Sequence, residues 1–455
     1  MGKIGIVWFR NNLRIHDNEP LHRALEECDE IVAVYATKFH LSGATPSGFQ
    51  KVGPHRFRFL TQAIDDLRNS LRNLGGDLHI RNGNPIDEIQ SIAQKAGAQT
   101  IYTNTEHTVE ELEWDEKLID LGWEVKTYET LLLVHPEDVA KGVDRIPKGF
   151  TSFRKRQEAH WIVRSEFPTP SQISFAPLDL QVEEMPSFEE IVLVEPESEP
   201  KAAIQFTGGE HAAIERLNAY FWQRDELRNY KFKRNGLLGE DYSSKFSAWL
   251  AVGCISPRRI YWEVKRYERE VHKNVSTYWL VFELLWRDFF RLTAIKQGTS
   301  FFKYPRNRSL ERTEKFDQWI KGETGIPFID ANMIELARTG FMSNRGRQNV
   351  ASFLSKDLGI SWQLGAEYFE HMLIDYDPCS NYGNWMYVAG VGADPRKDRY
   401  FNILKQAHMY DEKGKYVLHW LPELRDVPKE MVHTPWMSMF GDNYPEPIVE
   451  LPKYT

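Results

Sequence analysis

A chain of 455 residues is longer than one hydrophobic core usually serves, so two or three domains are expected. Its 57 basic and 65 acidic residues give a net charge of −8, which excludes phosphate binding by bulk charge and demands a local basic face for any nucleic-acid contact. Cys28, Cys254 and Cys379 share no CxxC spacing; neither a disulfide framework nor a metal centre is expected, and the compartment is read as cytoplasmic, or organellar if a targeting segment has been removed.

In chain order, "IGIVWF", "EIVAVYAT", "DLHIR", "TIYTN" and "EVKTYE" are β-rich runs of four to eight residues. Helical stretches separate them, the longest being "HRFRFLTQAIDDLRNSLRNLG", which stops at Gly75. This βαβα order predicts an α/β N-terminal domain over 1–130 with a parallel, five-stranded, Rossmann-like sheet. The first strand leads into "RNNLRIHDN", where a dinucleotide-binding domain would carry GxGxxG, so no NAD site is expected there. Residues 131–200 read as an interdomain linker, because 165–200 holds no Lys or Arg, many Glu and six prolines. From 201 to 455 the pattern changes to long amphipathic segments, among them 211–223, 256–270, 276–296 and 345–358, which predict an all-α C-terminal domain. No apolar run reaches eighteen residues, so no membrane contact is expected.

Three segments of the second half carry charge where a core would exclude it. In "STYWLVFELLWRDFFRLTAI", Glu283, Arg287 and Asp288 interrupt an apolar helix. Glu283 and Arg287, four apart, suit an intrahelical ion pair; Glu283 and Trp286, three apart, equally suit an acceptor beside a flat ring for a planar ligand. In "DYSSKFSAWLAVGCISPRR", Ser243 or Ser244 can cap a helix, or the hydroxyl cluster can hold phosphate at its N-terminus. In "NRGRQN" and "DYDPCSNYGN", Arg347 and Asp375 are placed to neutralise each other, leaving Asp377 and Asn381 for a ligand.

Several motifs in order resemble the photolyase and cryptochrome family throughout the chain: "VWFRNNLRIHDNEPL", "DYSSKFSAWLAVGCISPR", "FELLWRDFFR", "GETGIPFIDANMIELARTGFMSNRGRQNVASFL", "LIDYDPCSNYGNWMY" and "HWLPELRDVP". "ADPRKDRYFNILKQAHMYD" and "NYPEPIV" most resemble its cryptochrome-DASH branch. The resemblance implies a folded FAD. Tyr230, Ser243, Ser244, Lys245, Phe246 and Ser247 match its phosphate side; Glu283, Arg287, Asn344, Arg347, Asp375, Asp377 and Asn381 match positions around the flavin, with Asn381 facing N5. It further implies light-driven repair of cyclobutane pyrimidine dimers, preferentially in single-stranded DNA, by electron transfer from excited reduced FAD. Glu283, Trp286 and Asn344 then match the dimer pocket, with Gln348 and Tyr387 where efficient duplex photolyases carry more apolar groups.

Arg345, Arg396, Lys397 and Arg399 are candidates to hold flanking phosphates around the mouth, or are solvated surface charges. Trp385 and Trp362 match the inner members of a photoreducing chain. Its outer position falls near Ser309, a departure that leaves Trp319, Tyr304 or another route. Glu106 in "NTEHTVEE" matches a carboxylate for a 5,10-methenyltetrahydrofolate antenna, or is a solvent-facing loop acid near a helix start. The expected form is a monomer. The alternative is a blue-light photoreceptor with little repair, which the short stretch after "YPEPIV" disfavours; a colourless nucleotide-binding protein is the third reading.

Overall fold

The computed structural model describes residues 2–451 except positions 42, 179, 182, 303–309, 393–399, 440 and 442. The five β-rich runs form β1 (Ile4–Phe9), β2 (Glu30–Ala36), β3 (Leu78–Arg81), β4 (Thr100–Asn104) and β5 (Glu124–Tyr128). All pair in parallel, in the order β3-β2-β1-β4-β5. Helices cover both faces, so β1 is apolar at successive positions, with Ile6, Val7, Trp8 and Phe9 all buried. The edge strand β5 reads Glu-Val-Lys-Thr-Tyr and stays partly exposed, as an edge tolerates.

Strand order reverses on either side of β1, which makes the carboxyl ends of β1 and β4 the switch point of the sheet. The loop after β1, where a glycine fingerprint is missing, is a plug into the helical half. Arg14 donates to Gly253 O at 2.8 Å and to His16 O, Asp17 O and Thr130 O. Asp17 pairs with Arg258 at 2.7 Å, and His16 meets Glu210 at 2.6 Å. Asp288, one of the charges interrupting the apolar helix, accepts from Leu133 N and Val134 N at 3.1 and 2.8 Å. It fastens the segment after β5 to the helical domain.

Residues 131–200 touch both halves. Phe175 bridges to Ile31, and Glu183 and Glu184 receive Asn82 N and Arg68 at 2.9 and 2.6 Å. The helix Phe150–Glu158 in the same segment inserts Phe150 among Phe282, Trp286 and Phe289.

The four amphipathic segments are helical. They are Glu210–Asn218 continued by a π turn over Ala219–Gln223, Pro257–Glu270, Val275–Gln297, and Asn344–Ser352 continued by a π turn over Phe353–Asp357. Val275–Gln297 is apolar nearly all round and therefore central. Asn274 caps it by accepting from Ser276 N and Thr277 N. Pro378–Ala389 packs across it at Gly383, where a Cβ would meet the Phe290 ring at 2.2 Å.

Candidate functional site

The Pro378–Ala389 helix begins with Asp377 as its N-cap, accepting from Ser380 N at 2.7 Å, followed by Pro378 at the first turn. The second Asp377 oxygen is paired with Arg291 and lies 3.8 Å from Arg287. Burial by itself would raise this carboxyl; the facing guanidiniums of Arg291 and Arg287 outweigh it and hold Asp377 well below the usual range. Asp377 therefore does not stand free for a ligand, as its sequence context suggested, because the cap and two guanidiniums use its oxygens.

Glu283 and Arg287 do not pair either. Glu283 takes Arg234 at 2.6 Å, while Arg287 donates to Leu131 O and to Leu250 O. The helix carries Glu283, Arg287 and Arg291 at four-residue spacing on one face. That stripe, extended one step further along the sequence, would have revealed Arg291.

Arg347 donates to Asp375 at 2.9 Å and to Met342 O at 2.9 Å. Ser343 caps the Asn344–Ser352 helix by accepting from Gly346 N at 3.0 Å, which puts Asn344 at its exposed first position. Asn381 donates to Ala366 O at 3.0 Å, a bond that fixes the orientation of its amide. The 243–247 segment is held from behind. Arg216 donates to the Ser243 and Ser244 carbonyls at 3.1 and 3.0 Å and pairs with Glu240 and Asp241.

Lys245 sits at φ 57° and turns its ammonium to Glu240 O at 2.7 Å and over the Tyr242 ring. Burial lowers it to about 7. Phe246 is buried and Ser247 opens a short helix, Ser247–Ala251. The Tyr242 hydroxyl, raised by burial, lies within the field of Arg347 and Asp375, so the hydroxyl segment and the Arg347–Asp375 pair adjoin.

Tyr230 is buried; burial and then Glu283 raise its hydroxyl, which also bonds Arg234. Trp286 is stacked on one face by Phe150, with ring centroids 3.7 Å apart at 14°, and edged by Tyr387 at 5.8 Å. Arg345 reaches Gln348 at 2.8 Å, Asn235 at 3.1 Å and Gln406 at 3.4 Å. Arg396, Lys397 and Arg399 lie outside the described residues, as do Tyr304 and Ser309.

Trp385 meets Trp319 at 6.5 Å, and Trp362 meets Tyr382 at 6.0 Å. Trp319 is 0% exposed, so it is not a surface terminus. Phe150, Arg234 and Arg291 were missed from sequence. Phe150 sits in a stretch read as linker, and Arg234 pairs across elements far apart in the chain.

A second polar centre occupies the switch point of the sheet. Glu106, after β4, accepts from Asn11 at 2.9 Å and Asn104 at 2.6 Å, and Arg10 pairs with Asp115 at 2.9 Å. Glu106 is 2% exposed, which overturns its reading as a solvent-facing loop acid. Burial, reinforced by Glu111 and opposed by Arg10 and Arg291, pushes its carboxyl up to about 8.

The donor set of the helical centre fits FAD. Asp375 Oδ1, Arg291 Nε and the Tyr242 hydroxyl are buried with no hydrogen-bond partner among the described residues, a deficit that a polar ligand makes good.

Comparison with known proteins agrees with this geometry. Residues 279–454 match the family model described as the FAD binding domain of DNA photolyase, and residues 5–171 match DNA photolyase. Cryptochrome DASH of Gloeobacter violaceus is 47% identical over 99% of this chain and 93% of its own length. Cryptochrome DASH of Xenopus laevis is 43% identical over 100% of this chain and 91% of its own. The solved cryptochrome of Synechocystis superposes with a TM-score of 0.92 at 46% identity, covering 98% of this chain and 96% of that one. FAD is accordingly the cofactor of the helical domain. With the fold, the cradle and near-full-length identity in agreement, this chain belongs to the photolyase/cryptochrome family, in its cryptochrome-DASH branch.

Proposed function

We propose that the chain is a light-driven lyase that splits cyclobutane pyrimidine dimers, preferentially in single-stranded DNA, and acts as a monomer. One arrangement carries this reading. Glu283, fixed by Arg234, and Trp286, backed by Phe150, lie three residues apart on the helix that also carries Arg287 and Arg291. FAD, when bound, supplies the one-electron photochemistry.

The protein's own residues do the rest. Trp286 offers its remaining face to an extruded pyrimidine pair, and Tyr387 limits how that pair sits at its edge. Glu283, whose carboxyl is raised by burial and partly offset by Arg234, accepts from or donates to the dimer's polar edge. Asn344, exposed at the first position of its helix, offers a neutral hydrogen-bonding group. Asn381, its amide oriented by Ala366 O, would offer a bound flavin a hydrogen-bonding group without adding charge. Extruding a dimer requires unstacking, which a single strand has already largely undergone. A polar Gln348 and Tyr387 give a flipped dimer less apolar support than duplex extrusion needs. Trp385 and Trp362 carry electrons inward during photoreduction.

Glu106 and its neighbours are the proposed seat of a 5,10-methenyltetrahydrofolate antenna. Burial, reinforced by Glu111, favours the protonated form of Glu106, which can donate to a ring nitrogen as well as accept. Arg10 Nε and Asn104 Oδ1 nearby are buried without partners among the described residues. The photolyase of Sulfolobus tokodaii, 30% identical, was solved with two FAD molecules, so a second flavin is the alternative occupant.

The test illuminates reduced, flavin-loaded protein with dimer-containing single- and double-stranded oligonucleotides. Repair of the single strand well ahead of the duplex is expected, and none in the dark. Failure on both would favour the photoreceptor reading. Glu283→Gln should weaken dimer binding about tenfold, the scale of one charge-assisted hydrogen bond.

A further inference from the structure

We infer that the strip running from residues 231–235 to the helix Ile403–Tyr410 is a track for the single strand flanking the dimer, with Phe232 as a base-stacking platform. This rests on the DNA reading proposed above and names a contact beyond the pocket.

The sequence there is Tyr-Lys-Phe-Lys-Arg-Asn, residues 230–235. Tyr230 and Arg234, one turn apart, face Glu283, so the inner side of this short helix is the pocket wall. Phe232 lies between them in sequence and on the opposite side. It is 73% exposed, an unusual condition for a large aromatic ring, and lysines 231 and 233 flank it. Lys231 packs over the Trp279 ring at 4.6 Å, and Lys233 pairs with Glu226 at 2.6 Å.

The strip continues through Arg345. Its guanidinium joins Asn235 to Gln406 and lies 4.3 Å over the Tyr410 ring. The described groups that hold it are neutral amides and a ring, so its positive charge is not cancelled by them. On the Ile403–Tyr410 helix, Lys405 and Met409, four apart, form the exposed edge beside Gln406, and Met409 is 57% exposed.

Exposed apolar faces interleaved with cations, contiguous with a pocket wall, match one chemistry: unstacked bases on a phosphate backbone. Base–aromatic stacking tolerates any sequence because every base offers a π face, while cations track the phosphates. A duplex keeps its bases stacked on each other and offers Phe232 none. The strip therefore adds affinity to a single strand and little to a duplex.

The test is fluorescence anisotropy on flavin-loaded wild type, Phe232→Ala and Phe232→Trp. Three probes share one sequence: a dimer-containing single strand, its duplex, and the single strand with abasic sites on both sides of the dimer. Phe232→Ala is expected to weaken the single strand about tenfold, the scale of one base stack, and the duplex by less than about twofold, the bound that absence of stacking sets. Phe232→Trp should bind the single strand at least as well as wild type, and the alanine effect should vanish on the abasic probe. An unchanged single-strand affinity, an equal loss on the duplex, or a loss that persists on the abasic probe overturns the proposal. A wild type that repairs nothing yet shows this pattern on undamaged strands overturns the repair reading and leaves the track in place.

Discussion

The interdomain seam and the flavin cradle are both buried and both densely charged, yet their polar accounts differ. At the seam Arg14, Asp17 and Asp288 find their partners within the chain. Arg14 satisfies its nitrogens on four carbonyls, Asp17 takes Arg258, Ser256 and Phe167 N, and Asp288 takes two backbone N–H groups. In the proposed cradle Asp375 Oδ1, Arg291 Nε and the Tyr242 hydroxyl have no hydrogen-bond partner among the described residues. Buried charge by itself thus distinguishes nothing; incomplete hydrogen bonding within the chain is what separates a binding site from a fastening.

Removing one carboxylate from each region tests this most strongly. Asp377→Ala strands Arg291, and Asp17→Ala strands Arg258, each with a side chain no more than 5% exposed. Either substitution should destabilise the fold by about 3–5 kcal/mol in chemical denaturation. Only Asp377→Ala should also lower the flavin absorbance retained per folded molecule after desalting; equal retention by both variants would erase the distinction.

The next effect is a pH dependence. Burial lifts the Glu335 carboxyl from its ordinary 4.5 to about 7, beside the Tyr416 hydroxyl at 2.6 Å. Between those values the folded chain keeps a proton that the unfolded chain has released, so stability falls as pH rises from about 4.5 to about 7. Glu335→Gln retains an acceptor for Tyr416 and cannot ionise. The gap between its stability profile and that of wild type should therefore open in the variant's favour across this window, by up to about 3 kcal/mol. Parallel profiles would mean that Glu335 is ionised throughout.

The smallest expected effect concerns packing beneath the cradle. A Cβ at Gly365 would come within 2.2 Å of the Trp385 ring and 2.6 Å of Leu354. Gly365→Ala should cost about 1–3 kcal/mol by overpacking and slow photoreduction of bound flavin, while the corresponding loss at the seam leaves photoreduction rates alone. An unchanged rate in folded Gly365→Ala would remove Trp385 from the electron route.

Legibility followed the range of the interaction. All five strands, their parallel order of connection and the four amphipathic helices were readable, because β-rich runs and apolar spacing are local patterns. Much of the cradle was also readable: the Arg347–Asp375 pair spans two motifs that stand out by composition, and it forms. The partners of Glu283, Arg287 and Asp377 were not, since helical spacing proposes i,i+4 pairs and cannot rank them against Arg234, Leu131 O or Arg291 arriving from elsewhere.

The amino-acid sequence alone determined the sheet, the helical half and the inventory of polar groups interrupting its apolar helices, because periodicity and capping act over a few residues. Only the tertiary structure decided which of those groups neutralise one another, that Phe150 backs Trp286, and that the loop after β1 fastens the domains. Each of these depends on chain segments well beyond the reach of local periodicity meeting in a low-dielectric interior, where every charge must find its partner or wait for a ligand.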